Sequence, residues 1–568
     1  MARRLDTLLD QLEQNKSRAA EYGSARWAQL IAATARQKFT DALSLARFHD
    51  VLLFLRAFPP SLSIVRQVEP LLTEFHKRIE KLKKAGVDLS SIEDGEEFAG
   101  IAGTTLTAML AFEEARWLVH RFPGQVSIDW EGYENDARLG ATLPRFIPLL
   151  DEDASVEPDV PYREWLHAAS GGNELPWLIA QFERADLPPS VKSEIFGSLE
   201  LPIRWQLGNS RATRTRARRS VRKLFVHTEP LIQRRDVKLS DELARPPFKM
   251  TRLSRREGHE IITLCREATT VRYRELYGTT LGDPADVVRA DVGRGVEIFL
   301  WGLPPDKRLP LRAYQAGFTI KNGVPINYIE GIALFEWMEV GFNTFYAYRD
   351  GETAWIYGQV LRMLHQRLGA ECISVYPYQI GQDNEEALAS GAFWFYRKLG
   401  FRPVRKELER LAEREEKKIA VQPGYRTPPR ILRRLAEGHV VYELPEAERG
   451  AWDRFRIRHI GIVVQKLMAR EYGGDSERMK KAAQAKLSRV LGVNSAQWRA
   501  AEQQAFEDFS RVLSLVPDLG RWQSVEKSGL VTAIRAKASL SDDRYAALLA
   551  KQTRLRSALL RLGSRVPR

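Results

Sequence analysis

Near Pro246 the spacing of apolar residues changes, and that change limits what the chain can fold into. Upstream, Leu5, Leu8, Leu9 and Leu12 open a run at helical intervals that continues to about Leu82. Phe58-Pro59-Pro60-Ser61 breaks it, since proline removes a helix donor. Downstream, short β-prone runs alternate with helical ones. Residues 248–253, 296–301, 313–320, 371–378 and 439–444 predict strands, and 324–345 is long enough for one or two more. The Asn322-Gly323 pair suits a tight hairpin. Residues 255–277, 353–368 and 385–399 predict helices. After Pro445 the chain returns to helices, including 482–491 and 497–515.

A chain of 568 residues is too long for one core. The pattern predicts a multidomain, mainly α protein carrying one α/β (α+β) unit. Its expected parts are a helical N-terminal domain (1–150), a helical region with a basic strip (160–240), the mixed unit (246–444) and a basic helical C-terminal region (446–568). The acidic, proline-containing stretch from Asp151 to Pro161 marks the first boundary. The Gly100-Ile101-Ala102-Gly103 turn lacks the Gly-Lys-Ser/Thr of a phosphate loop, so a helix over 104–120 is expected after it.

Hydrophobic residues make up 44% and charged residues 28%, an ordinary globular balance. No apolar run approaches the roughly 20 residues of a membrane span. The opening Met-Ala-Arg-Arg is followed by acids, not by the apolar stretch of a signal peptide, which makes the cytoplasm the expected location. With only Cys265 and Cys372, no disulfide framework is expected, and scattered histidines offer no metal-ligand spacing.

Lys and Arg exceed Asp and Glu, 87 against 73, so an anionic partner is expected. Arg211, Arg214, Arg216, Arg218, Arg219, Arg222 and Lys223 occur with no acid between them, and residues 551–568 hold six cations and no acid. Such strips suit a nucleic acid or other polyanion; a patch meeting an acidic face of the same chain is the other reading.

One local motif is more specific. Ser390 to Arg402 reads Ser-Gly-Ala-Phe-Trp-Phe-Tyr-Arg-Lys-Leu-Gly-Phe-Arg, an aromatic helix closing at Gly400 with Arg397 and Lys398 at its dipole-negative end. With the element order before it, this resembles the closing motif of the GNAT acyltransferases. The resemblance covers 246–444. It implies an acyl-CoA cosubstrate, no metal, and direct transfer of an acyl group to an amine, with Tyr396 as the acid that protonates the departing thiolate. Glu336 and Glu339, with Glu330 behind them, are the acids placed to act as base.

The family's pyrophosphate turn falls on Arg349-Asp350-Gly351-Glu352-Thr353-Ala354, with Arg349 and Ala354 at the first and last motif positions. Arg349, Gly351, Thr353 and Ala354 are the implied cofactor contacts. Glu352 stands where the family has glycine, and an acid facing a pyrophosphate costs binding unless it turns away or reaches a cation. Two other functions fit the same features: a non-catalytic scaffold that binds an anionic partner such as nucleic acid, and a transferase using aminoacyl-tRNA.

Overall fold

The computed structural model describes residues 2–445, 447 and 455–564. The fold is mixed α+β, with two sheets set among helices. The smaller sheet joins β1 (Thr105–Met109), β2 (Val126–Ile128) and β3 (Pro202–Gln206) in the order β1-β3-β2, all antiparallel. The expected helix over 104–120 is therefore corrected: its first part is β1, and a helix follows only at Phe112–Arg121. Thr104, Thr105 and Thr107 are β-branched and favour the extended chain there.

The larger sheet has nine strands: β4 (Thr251–Arg252), β5 (Val288–Gly293), β6 (Val296–Trp301), β7 (Ala313–Lys321), β8 (Val324–Leu334), β9 (Trp337–Thr344), β10 (Cys372–Val375), β11 (Arg402–Pro403) and β12 (Val440–Glu443). Their order is β11-β12-β10-β9-β8-β7-β6-β5-β4. Every pairing is antiparallel except β9 with β10, which is parallel. A parallel pair needs a crossover, and the helix Thr353–Leu368 supplies it, ending at Gly369 with φ +68°. Asn322 and Gly323, both at positive φ, make the hairpin between β7 and β8.

Residues 385–399 form two short helices, Glu385–Ala389 and Ala392–Arg397, not one. Gly391, at φ +68°, separates them. The motif closes as expected, with Gly400 at φ +100° and the Tyr396 carbonyl accepting from both Leu399 and Phe401.

One apolar cluster runs from Leu5 to Leu562, so the N-terminal helices, the large sheet and the C-terminal helices share a core. A second gathers around the small sheet, from Leu110 to Trp205 and Ala212.

The basic strip is not a free helix face. Its residues run as turns and loop, and three of its cations meet carboxylates of this chain. Arg214 reaches Asp50 at 2.9 Å, Arg218 reaches Glu69 at 2.6 Å and Arg219 reaches Glu297 at 2.7 Å. The C-terminal cations behave similarly: Arg554 pairs with Glu526 at 2.8 Å, while Arg565 and Arg568 lie outside the described residues. Cys265 and Cys372 are both buried thiols. Among the described residues, no helix is long and apolar enough to cross a membrane, and no group of three metal-ligating side chains converges.

Candidate active site

The site begins where one ladder stops. Strands β9 and β10 pair only from Trp337/Cys372 to Glu339/Ser374. Beyond Val375 the chain reaches Pro377, which has no N–H to offer a ladder, and turns into a short 3₁₀ helix, Pro377–Ile380. β9 continues to Thr344, so its edge parts from β10. Gln379 reaches back across the opening: its Nε2 donates to the Val340 carbonyl at 3.2 Å and its Oε1 accepts from the Phe342 amide at 3.3 Å. One side-chain amide thus stands in for the missing peptide pairing.

A cavity of about 460 Å³ occupies this opening. Its floor is the face of the sheet that carries Tyr328, Glu330, Gly341 and Asn343, with β8 and β9 in register so that Glu330 lies opposite Gly341. The absent side chain at Gly341 makes the room. A Cβ there would stand 3.7 Å from both Gln379 Nε2 and Glu330 Cβ. Across the opening, Tyr396 enters the wall, its hydroxyl 3.5 Å from Gln379 Oε1. Glu330, Gly341, Gln379 and Tyr396 therefore form one row across the split.

Burial governs the chemistry of this row. Glu330 accepts a hydrogen bond from the Tyr314 hydroxyl and, among the described residues, pairs with no cation; burial holds its pKa above the usual carboxylate range. Burial likewise raises Tyr396, which keeps its proton at every physiological pH. The cavity's two arginines are engaged. Arg274 pairs with Glu96 of the N-terminal region. Arg349 pairs with Glu386, stacks 3.9 Å above the Tyr346 ring and donates to the Thr344 carbonyl at 3.1 Å. Burial opposes ionisation of Glu386, yet hydrogen bonds from Tyr346 and Arg349 outweigh it and lower its pKa.

The turn before the Thr353–Leu368 helix has two faces. Arg349 and Thr353 line the cavity. The other face is closed by the N-terminal helices: Asp350 meets Lys16 at 2.7 Å, and a Cβ on Gly351 would strike the Phe58 ring at 2.5 Å. Glu352 is wholly buried on that closed face, accepting from Arg294 Nε at 2.8 Å and the Ile232 amide at 3.2 Å, with Lys321 Nζ at 3.8 Å. The acid has both turned away and reached a cation. Ala354 is buried and, like Gly351, is absent from the cavity wall.

Of the two acids expected to act as base, Glu336 and Glu339, neither lines the cavity. Glu336 precedes β9 and is held by Arg556 Nε at 2.9 and 3.0 Å. Glu339 shares the floor's face but lies at the paired end of the ladder, beside Ser374, with His439 at 3.3 Å. Glu330 and Glu386 line the cavity among the described residues, and Glu330 is the acid on its floor. Gln379 and Gly341 carry no periodic signal in the sequence; Pro377, directly after a buried strand, is the one mark of the parting ladder. Compared with known proteins, the chain matches no family model, no curated protein and no solved structure.

Proposed function

We propose that this cavity is the catalytic centre of a GNAT-like N-acyltransferase that moves an acyl group from acyl-CoA to an amine. The observation that carries the reading is the parted parallel pair with a half-buried acid, Glu330, on one side and a buried phenol, Tyr396, on the other. The sheet order, the crossover helix at the parallel pair and the Tyr396-to-Gly400 closure support it further.

In this reading the acceptor nitrogen forms the new C–N bond while the thioester C–S bond breaks. The amine proton passes to Glu330, whose raised pKa makes it a better base than an exposed carboxylate. The departing thiolate takes the Tyr396 proton. On the cavity side of the turn, Arg349 and the start of the Thr353–Leu368 helix at Thr353 provide positive character for a phosphate. The test is release of free thiol from acetyl-CoA with a panel of primary amines. Turnover that falls in Glu330→Gln and Tyr396→Phe supports the reading, and absence of acyl-CoA binding by calorimetry overturns it.

A further inference from the structure

Three of the seven cations of the basic strip pair with carboxylates of this chain, and a second positive surface lies at the C-terminal helices. The helices Ile457–Tyr472 and Ser476–Leu491 carry eight Lys and Arg against three acids over 457–491. Arg458, Lys466, Arg478, Lys481 and Arg489 are exposed, and among the described residues their side chains enter no ion pair. Unpaired cations on a surface leave a field that a polyanion relieves.

Helix geometry gathers the charges of the second helix on one side. Met479, Ala483 and Leu487 follow at intervals of four and bury one stripe of the second helix. Arg478 and Arg489 are eleven residues apart, about three turns, so they share a bearing away from that stripe, and Lys481 flanks them. Between the two helices runs a groove of about 440 Å³ lined by Lys466, Arg470 and Lys486. Lys486 donates to the Ser514 carbonyl at 2.9 Å, which fixes its position without neutralising its charge. Glu471, the one acid lining the groove among the described residues, meets Arg470 at 2.6 Å.

We propose that this helix pair binds the phosphate backbone of nucleic acid without regard to base sequence. An anionic membrane is disfavoured because surface-lying helices insert an apolar face. Here Ile460, Met479 and Leu487 face the core, and neither helix exposes a large apolar side chain among the described residues. An acidic protein is disfavoured for a related reason: protein interfaces centre on apolar or aromatic anchors, whereas phosphates need only placed cations. The proposal stands apart from the acyltransferase reading, because it uses none of the cavity's residues.

The experiment is fluorescence anisotropy of the full chain with an end-labelled 20-base-pair DNA duplex, repeated on an unrelated sequence, between 50 and 300 mM KCl. Neutralising five phosphates predicts a slope of log K against log salt of about −4 to −5. In the variant Arg458→Ala/Lys466→Ala/Lys481→Ala/Arg489→Ala the affinity is expected to fall at least tenfold and the slope to shrink by about 3 to 4. All four side chains are exposed, so an unchanged melting temperature accompanies that loss. The control Arg211→Ala/Arg222→Ala/Lys223→Ala retains binding. No binding at 50 mM salt, equal binding by variant and parent, equal loss in the control, or binding only to phosphatidylglycerol vesicles overturns the proposal.

Discussion

Glu352, fully buried, pairs with half-buried Arg294 on the face of the turn away from the cavity, with Nε 2.8 Å from the carboxylate. Lys321, as buried as Glu352, stands 3.8 Å from the second oxygen. Removing the carboxylate leaves buried Lys321 and half-buried Arg294 short of a partner, so Glu352→Ala is expected to cost about 3 kcal/mol in urea unfolding. It is also expected to leave acyl-CoA affinity unchanged once fully folded protein is titrated. Tighter binding in the variant would mean that the acid faces the ligand after all.

Glu330→Gln and Tyr396→Phe each remove one proton-transfer group and leave the other. General acid or base catalysis contributes about 100-fold or more, and that is the expected fall in kcat for each. The two are separable by pH. Activity requires ionised Glu330, whose pKa burial raises, so the parent's acid limb is expected above the ordinary carboxylate range. That limb disappears in Glu330→Gln and persists in Tyr396→Phe.

His49 gives the fold a pH dependence of known sign. It is fully buried, with Nε2 2.9 Å from Thr215 Oγ and Nδ1 3.5 Å from Asp50. Burial lowers its pKa to about 4, against a contrary pull from Asp50. Between about 6.5 and 4 the unfolded chain binds a proton that the folded chain refuses. Stability is therefore lost as pH falls through that window, by about 3 kcal/mol from this group. Unfolding free energies at pH 7 and pH 4.5 are expected to differ less in His49→Gln than in the parent; an equal difference assigns the acid sensitivity to other groups.

What was legible in the sequence follows from which forces act locally. The helix over 353–368 was readable because its apolar spacing and the glycine behind it are local signals, and the Asn322-Gly323 turn because its backbone demands are local too. The site was less so. Alternation along a strand says which residues share a face, but the cavity depends on where the β9–β10 ladder parts. That point is set by Pro377 and by Gln379 reaching back to Val340 and Phe342, a contact with no period. Hence Glu330, not Glu336 or Glu339, meets the cavity. The basic strip was legible only in part for the same reason: its charge was visible, while the choice between its two readings depended on Asp50, Glu69 and Glu297, which approach it only in the folded chain.

Gly341 offers a way to fill the cavity without disturbing what surrounds it. Its φ is not in the left-handed region, and an added Cβ meets its neighbours at ordinary contact distance. Gly341→Leu is expected to keep the parent's melting temperature within a few degrees while abolishing acyl transfer, because the side chain projects between Glu330 and Gln379. Retained turnover would remove the floor of this cavity from the reaction.

Arg349 and Glu386 set how strongly the cavity receives an anion. The arginine is the cation that the turn itself presents to the cavity, and its guanidinium is already shared with the Glu386 carboxylate. A phosphate arriving there gains Arg349 but faces Glu386. Replacing the acid with its neutral isostere releases the guanidinium and removes a like charge, so Glu386→Gln is expected to tighten acyl-CoA binding about five- to tenfold. Arg349→Ala is expected to weaken it by at least as much. In Glu386→Gln/Arg349→Ala the gain from the first change disappears, because it acts through the arginine. Calorimetry of the four proteins with acetyl-CoA measures this cycle directly, and additive effects would mean that the phosphate does not contact this pair.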